Sequence, residues 1–297
     1  MKFTIPSEFM GVTSEEALKL AESNKTLQNP IVVPQAVIPI PATNLRDPSA
    51  YIILEGKTHG NYSYPDLLVG MHRLGLDTDV QSAAQNLGLS VQETGQEKDG
   101  TKYLGNINWE QALKINAQLG NVTLNPRQFI DFKELLKDGI GGTRAVYDGR
   151  GNRISSLNLN SVYDEIFEVR DPWRSEWLDA KFSKVNQGLM ATIKGLVKGQ
   201  EYLVHYNHAL NNGSLTPVTS EALESCVMSD GWIDINSFNN QGLPTKTSSD
   251  KRMYFWHPVD GRVARFLANS DRAGLYCIWD PSGTNSNLGV RAARKKI

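Results

Sequence analysis

A short segment near the end of the sequence alternates strictly between two kinds of side chain. Small apolar residues alternate there with a mixed set, in the order Ala273, Gly274, Leu275, Tyr276, Cys277 and Ile278. Alternate side chains of a β-strand point to opposite faces, so one face of this segment carries the apolar set. The pattern predicts a half-buried strand whose other face has no single chemistry. That favours recognition by a surface over catalysis by a fixed group of residues.

Size and charge exclude several classes of protein. The chain has 297 residues, 40% of them hydrophobic, and a formal net charge of −1. It is long enough to bury a large core in one domain or two. A net charge near zero argues against binding nucleic acid through phosphate attraction. We expect no membrane span, since no run of about 18 apolar residues occurs, and no signal peptide at residues 1–12, which lack an apolar core. The sequence does not indicate where in or outside the cell the protein is located.

The first 45 residues differ in character from the rest. Thr13 and Glu16 form a capping-box pattern, which predicts a helix to about Asn24. The prolines of residues 29–41 exclude a central strand there. We therefore expect an N-terminal arm over residues 1–45 and a single domain over residues 46–297.

Two helices are marked by their caps. Asn108 with Gln111 predicts the start of one helix, which Gly120 ends, and Asn125 with Gln128 predicts the start of another. A further helix is expected to begin at Asp171–Pro172, because Trp173 and Trp177 recur at helical spacing.

The remaining pattern predicts mostly strands. Asn212–Gly213 indicates a hairpin turn within residues 201–218. Two shorter helices are expected over residues 80–87 and 220–228. Strands are expected over residues 51–54, 64–69, 253–256, 262–266, 275–279 and 288–293. Helices towards the N-terminal half and strands towards the C-terminal half predict an α+β fold.

The sequence offers little catalytic chemistry. His205 and His208 would face opposite sides of a strand, so they do not predict a metal site. Cys226 and Cys277 have no neighbours that would obviously activate a thiol; a disulfide between them stays open. The glycine-rich residues 139–151 match no phosphate-binding spacing and indicate turns. We expect no catalytic residue, no metal and no cofactor.

Several segments together resemble a known family, the variable proteins of diversity-generating retroelements of the archaeal and viral type. The resemblance covers nearly all the chain after the arm. It is carried by YIILEGKTHGNYSYPDLLV (51–69), NPRQFIDFKELLKDG (125–139), RDPWRSEWLDAKF (170–182), YFWHPVDGRVARF (254–266) and LGVRAAR (288–294). It implies a C-type-lectin-like fold, with small mixed antiparallel sheets flanked by two or more helices.

The resemblance also implies a function. In such systems a reverse transcriptase copies a template repeat with errors at adenines, and the copy replaces the C-terminal end of the target gene. The protein then displays alternative surfaces on one scaffold and binds a protein or cell-surface ligand. The variable region would lie at about residues 263–294.

Within that region the resemblance separates two sets of residues. The fixed scaffold would be Val263, Ala264, Phe266, Ala268, Ala273, Leu275, Cys277, Pro281, Leu288, Gly289 and Val290. The displayed, ligand-binding set would be Leu267, Asn269, Asp271, Arg272, Gly274, Tyr276, Ile278, Trp279, Asp280, Ser282, Gly283, Thr284, Asn285, Ser286 and Asn287.

Two other functions stay open on the same fold. A calcium-dependent, carbohydrate-binding lectin would need EPN or QPD and WND segments, which the sequence lacks. An enzyme similar to formylglycine-generating enzymes would need a reactive cysteine pair, and Cys226 and Cys277 do not match that arrangement. An ordinary strand–loop–strand is the plain structural alternative for residues 267–287.

Overall fold

The computed structural model describes residues 46–185 and 201–296, together with two short strands nearer the N-terminus. Its contacts divide the chain into two units, Met1–Val37 and Ile38–Ile297.

In the first unit, strands β1 (Glu8–Phe9) and β2 (Val12–Thr13) pair antiparallel. Thr13 is thus the last residue of β2. The rest of the helix expected from Thr13 to Asn24, and the proline-rich segment, lie outside the described residues.

The second unit is mixed α+β, as the order of sequence patterns predicted. Its described helices are α1 (Thr78–Asn86), α2 (Trp109–Gln118), α3 (Pro126–Ile140) and α4 (Ser156–Phe167). The strands before α2 are β3 (Tyr51–Leu54), β4 (Lys57–His59), β5 (Tyr62–Tyr64), β6 (Leu67–Arg73), β7 (Gln92–Gln96) and β8 (Lys102–Gly105). The strands after α4 are β9 (Arg174–Lys184), β10 (Tyr202–Asn211), β11 (Ser214–Ala222), β12 (Gly231–Trp232), β13 (Tyr254–Trp256), β14 (Val263–Ala268), β15 (Ala273–Trp279), β16 (Leu288–Gly289) and β17 (Arg291–Lys295).

One eight-stranded sheet dominates the architecture. Its order is β11-β10-β9-β14-β15-β13-β12, and β16 pairs with β9 beside this path. Most pairs are antiparallel, but β13 with β15 and β16 with β9 are parallel. A separate sheet joins the two ends of the unit, since β17 pairs with β6, which also pairs with β3. Two hairpins, β4-β5 and β7-β8, complete the described sheets.

Both faces of the large sheet are used, but not equally. Helices α3 and α4 pack Phe129 and Leu159 into one hydrophobic cluster with Phe266 and Leu275 of the sheet. On the opposite face, α2 covers β9, where Trp109 lies in a second cluster with Trp177 and Val263. The first of these clusters explains why the small apolar set of β15 is buried.

The helix caps confirm the sequence signals. In α2 the Asn108 side chain accepts from the Gln111 amide, and the Gln111 side chain accepts in return from the Asn108 amide. Asn125 and Gln128 form the same reciprocal pair at α3. Such boxes satisfy amides that the first helical turn would leave without partners.

The helix expected from Asp171–Pro172 is wrong, because Arg174–Lys184 forms strand β9. Trp173 and Trp177 have a spacing of four, which fits a period of two as well as a helical period. Strand β9 is central and buried on both faces, so it shows no apolar–polar alternation.

Two other differences concern shorter helices. The helix expected over residues 220–228 is wrong, since Ser220–Ala222 ends β11 and the next residues have no regular structure. Helix α4 was not predicted. Its signals are the Ser155 cap, which accepts from the Asn158 amide, and the spacing of Leu159, Val162 and Ile166.

Candidate functional site

The second face of the large sheet carries a row of aromatic rings over β12, β13 and β15. Trp256 pairs with Tyr276 across the parallel strands, and their rings stack with centroids 3.4 Å apart. The row continues from Trp256 to Tyr254 at 4.3 Å and from Tyr254 to Trp232 at 5.2 Å. None of these four rings belongs to the two large hydrophobic clusters.

Two arginines lie against this row. The Arg272 guanidinium is 4.8 Å from the centroid of the Tyr254 ring and 5.8 Å from that of Trp232. Arg265 is 3.4 Å from the Trp279 ring and 5.0 Å from the Tyr276 ring. Together with Trp173, which is 5.7 Å from Arg265, these side chains define the aromatic–arginine face: Trp173, Trp232, Tyr254, Trp256, Arg265, Arg272, Tyr276 and Trp279.

A break in the register brings Trp279 onto this face. Val263 pairs with Trp279, but Arg265 pairs with Tyr276, so the pairing slips between these positions. Strict alternation would place Trp279 with Cys277, in the core. The slip instead places it on the side of Val263, over Arg265. A β-bulge redirects side chains in this way.

The scaffold expected from the sequence is buried almost throughout. Of its eleven members, all but the half-buried Pro281 are buried. Leu275 and Cys277 are fully buried in the cluster formed with α3 and α4. The alternation of β15 thus correctly predicted which side chains support the strand.

The displayed set is less uniform than expected. Asp271, Asp280, Ser282 and Thr284 are exposed. Another group is half-buried: Asn269, Arg272, Ile278, Trp279, Gly283, Asn285, Ser286 and Asn287.

Three members of the set are buried, which corrects the expectation that all of them are displayed. Leu267 is 5% exposed, and Tyr276 is 8% exposed because Trp256 lies on its ring. Gly274 is also buried: a Cβ atom there would lie 2.4 Å from the carbonyl oxygen of Tyr254. This position therefore does not accept a side chain without moving β13.

The loop after β15 is attached to the rest of the unit mainly through its main chain. The Trp109 amide donates to the Pro281 carbonyl at 3.1 Å, and the Asn106 amide donates to the Asn285 carbonyl at 2.9 Å. The Ser175 amide and the Thr94 hydroxyl donate to the carbonyls of Asn287 and Ser286. Carbonyl groups are common to all residues, so these anchors do not depend on the side chains of residues 281–287.

Sequence reasoning missed five of the eight residues of the aromatic–arginine face. The sequence placed Trp173 in an expected helix and Tyr254, Trp256 and Arg265 in expected strands, and it gave Trp232 no role. The available signal was the alternation of Tyr254 and Trp256 around the buried Phe255. That signal becomes informative only when β13 is known to lie beside β15, which is a long-range pairing.

A second polar cluster lies elsewhere, around a cavity of about 330 Å³ lined by His72, Lys98 and Asp99 among others. His72, Glu97 and Asp99 place potential metal-ligand atoms within 4.8 Å of one another. Both oxygens of Glu97 are already engaged, one by His72 Nδ1 at 2.5 Å and the other by the Arg73 amide at 2.9 Å. Only His72 and Asp99 then have ligand atoms to offer, fewer than the three protein ligands of a catalytic zinc site.

The cysteines and paired histidines have structural surroundings. Burial raises the pKa of the Cys226 thiol to about 12 and that of Cys277 well above its usual value, and both are free thiols. His205 contacts Ser183 and Ser220 through its two ring nitrogens, and His208 contacts Asp179 at 2.5 Å. Each of the two histidines thus has hydrogen-bonding partners of its own.

No family model, curated protein or solved structure matches this chain. No described helix combines the length and the apolar character needed to cross a membrane.

Proposed function

We propose that this chain is a non-enzymatic display protein with a C-type-lectin-like fold, which binds a protein or cell-surface ligand through the aromatic–arginine face and the loop that follows it. The composition of that face carries the proposal. Trp, Tyr and Arg are the residues most enriched at the energetic centres of protein interfaces. Here eight of them gather on one side of the sheet, and six of the eight are half-buried rather than buried in the core.

We further propose that the exposed part of this surface is diversified by a retroelement. The main-chain anchoring of the loop supports this. Because carbonyl groups hold residues 281–287 in place, side chains there can be exchanged without removing the attachments. While those side chains change, the buried scaffold on the other face of β15 would keep the strand in place. The proposed variable positions are the twelve exposed or half-buried members of the displayed set, without Leu267, Gly274 and Tyr276.

The two alternatives receive less support. A formylglycine-generating-like enzyme requires a reactive thiol, but burial keeps both Cys226 and Cys277 protonated. A calcium site requires six to eight oxygen ligands. The single candidate metal cluster in the described ranges, His72, Glu97 and Asp99, contains a histidine, and the Glu97 oxygens are engaged.

Sequencing of this locus across a population tests the diversification directly. We expect amino-acid differences concentrated at the twelve positions, an unchanged scaffold, and a nearby repeat that differs only where it has adenine. Differences spread evenly between scaffold and displayed positions would overturn the proposal.

A binding selection tests the display function separately. A library of the full chain, randomised at exposed positions such as Ser282 and Thr284 together with the half-buried ones, is selected against a folded protein target. The matched control library randomises an equal number of exposed positions on the β10-β11 hairpin, for example Val218. We expect more binders from the first library, and equal yields would contradict a dedicated binding face.

A further inference from the structure

Arg265 is unusual among the buried arginines of the described structure. Five arginines there are buried, and four of them have a carboxylate within ion-pair distance. Arg73 lies near Glu97 and Glu165, Arg127 near Asp131, Arg174 near Glu165, and Arg291 near Glu176. Arg265 is 3% exposed and makes no ion pair within the described residues. Buried charges are ordinarily paired, so this guanidinium lacks a counter-charge.

The Arg265 guanidinium also has hydrogen-bond donors without partners. Nε and Nη1 of Arg265 are buried and have no hydrogen-bond partner in the described part of the chain. The indole Nε1 of Trp279, which lies on the same guanidinium, is likewise buried without a partner. All three atoms are donors. Among the surrounding rings of Trp173, Tyr276 and Trp279, only the Tyr276 hydroxyl can accept a hydrogen bond, and none of the three donors is bonded to it. An anionic acceptor would satisfy these donors and also balance the charge.

The nearest acidic residue in sequence does not fill this role. Asp280 follows Trp279 directly, but its carboxylate accepts from Arg262 Nη1 at 2.5 Å and from the Ser282 amide at 2.9 Å. Burial lowers the pKa of Arg265 to about 9, which fits a cation that no carboxylate stabilises.

We propose that Arg265 and the Trp279 indole form a receptor for a carboxylate on the ligand, so that the aromatic–arginine face recognises an acidic peptide segment. This inference rests on the proposed function, since it names the chemistry of the same face. A guanidinium fork matches a carboxylate in a bidentate geometry. One guanidinium balances the single charge of a carboxylate, whereas a phosphate dianion would leave an excess charge among aromatic rings.

Access to Arg265 is through Trp279. This ring is half-buried and begins the loop, and it faces Gly283, where a Cβ atom would lie only 2.8 Å from the indole Nε1. The glycine leaves the edge of the indole uncrowded. A rotation of Trp279 would uncover the guanidinium. Arg272, at the other end of the face and also without an ion pair within the described residues, provides a second positive charge for an extended acidic segment.

The test measures binding of hexaglutamate to the full-length chain by titration calorimetry and tryptophan fluorescence. Hexaglutamine is the uncharged probe, and inorganic phosphate is the probe for a phosphate-type oxyanion. We expect hexaglutamate alone to bind and to change the tryptophan fluorescence of the chain, which includes that of Trp279. The variant Arg265→Met should bind at least about tenfold more weakly. Arg252→Met is the matched control: it removes an exposed arginine whose ion-pair partner, Asp250, lies outside the displayed set, and it should change the affinity less than about twofold.

Folding of the key variant is checked in the same experiment. Because Arg265→Met removes a buried cation that has no counter-charge, we expect it to fold and to unfold at the same temperature as the wild type or higher. Arg265→Lys keeps the positive charge but not the paired N–H donors of the guanidinium, and it should recover only part of the affinity for hexaglutamate.

Three results would overturn the proposal. They are the absence of hexaglutamate binding to the wild type, equal losses in the two methionine variants, and binding of phosphate in preference to hexaglutamate. Success of the library selection together with any of these would reject only the acidic preference. Failure of the selection would reject the display function itself.

Discussion

Arg291 at the start of the last strand forms a buried ion pair with Glu176 near the start of the central strand β9. Arg291 Nε donates to Glu176 at 3.0 Å, and Arg291 Nη1 donates to the Gly70 carbonyl at 2.8 Å. One side chain thus joins the C-terminal strand β17 to both β9 and β6. It fixes the chain immediately after the proposed variable loop, so the loop is held at both ends.

We therefore expect Arg291→Met to be strongly destabilising. Removing one partner leaves Glu176 as an uncompensated buried charge, which costs about 3–5 kcal/mol. Chemical denaturation followed by circular dichroism measures the change. The control, Arg262→Met, breaks the pair with Asp280, which is exposed and screened by water. A loss no larger in Arg291→Met than in Arg262→Met would contradict a structural role for the buried pair.

The second prediction concerns Glu97 and the pH dependence of stability. Burial alone would raise the pKa of this carboxyl, but hydrogen bonding to His72 and the charge of Arg73 outweigh it and lower the pKa from 4.5 to about 2. The folded-state pKa lies below the unfolded one. The contribution to stability, about 3 kcal/mol, is therefore complete above about pH 5 and is lost as the pH falls towards 2.

Denaturation of the wild type and of Glu97→Gln between pH 7 and pH 2.5 tests this. The difference in unfolding free energy between the two proteins should be largest at neutral pH and shrink on acidification, because the variant cannot titrate at this position. Other carboxylates affect both proteins alike and cancel in the difference. A difference that stays constant with pH would show that Glu97 is not ionised through this network.

Local signals in the sequence predicted local structure well. Asn108, Asn125 and the Asn212–Gly213 turn each satisfy or shape the backbone within a few residues, so their effect does not depend on distant partners. The alternation in β15 identified its buried face for the same reason: one side of the strand packs on the core.

What sequence reasoning missed depends on contacts between distant segments. Strand β9 shows no alternation of apolar and polar residues because helices cover both of its faces. The four-residue spacing of Trp173 and Trp177 therefore fitted a helical pattern as well. The slip that turns Trp279 outward arises from the pairing of β14 with β15. The isolation of Arg265 is visible only once every neighbouring carboxylate has been placed. Three of the eight residues of the face were thus predicted, namely Arg272, Tyr276 and Trp279, which lie on β15 or directly before it.

The third prediction distinguishes a display protein from an enzyme that uses a cysteine. Partial burial raises the pKa of the Cys226 thiol to about 12, and full burial raises that of Cys277 well above its usual value. We expect neither thiol of the native protein to react appreciably with a thiol-specific disulfide reagent at pH 7.5, and both to react after unfolding in guanidinium. Rapid reaction of one thiol in the native protein would instead support the formylglycine-generating-like alternative.

The fourth prediction concerns Gly274, which the resemblance placed among the variable positions. A methyl group there would lie 2.4 Å from the Tyr254 carbonyl oxygen and 3.0 Å from the Trp256 ring. We expect Gly274→Ala to lower the unfolding free energy by about 1–3 kcal/mol. Gly231→Ala, in the same sheet but with open space around the added methyl group, should change it by less than about 0.5 kcal/mol. If the two variants were equally stable, Gly274 would again count among the proposed variable positions.

The last prediction addresses the asymmetry on which a diversified surface depends. Leu275 is fully buried in the core, Ile278 on the same strand is half-buried, and Thr284 in the loop is exposed. Leu275→Ala should cost about 2–5 kcal/mol, because it leaves a cavity beneath the sheet. Thr284→Asn should stay within about 0.5 kcal/mol of the wild type. Ile278→Asn should fall between them, since only part of its side chain leaves water. A thermal unfolding series on the three variants measures the order. If Ile278→Asn proved as damaging as Leu275→Ala, a half-buried member of the displayed set would be as constrained as the scaffold, and wholesale exchange of the displayed side chains would not be compatible with folding.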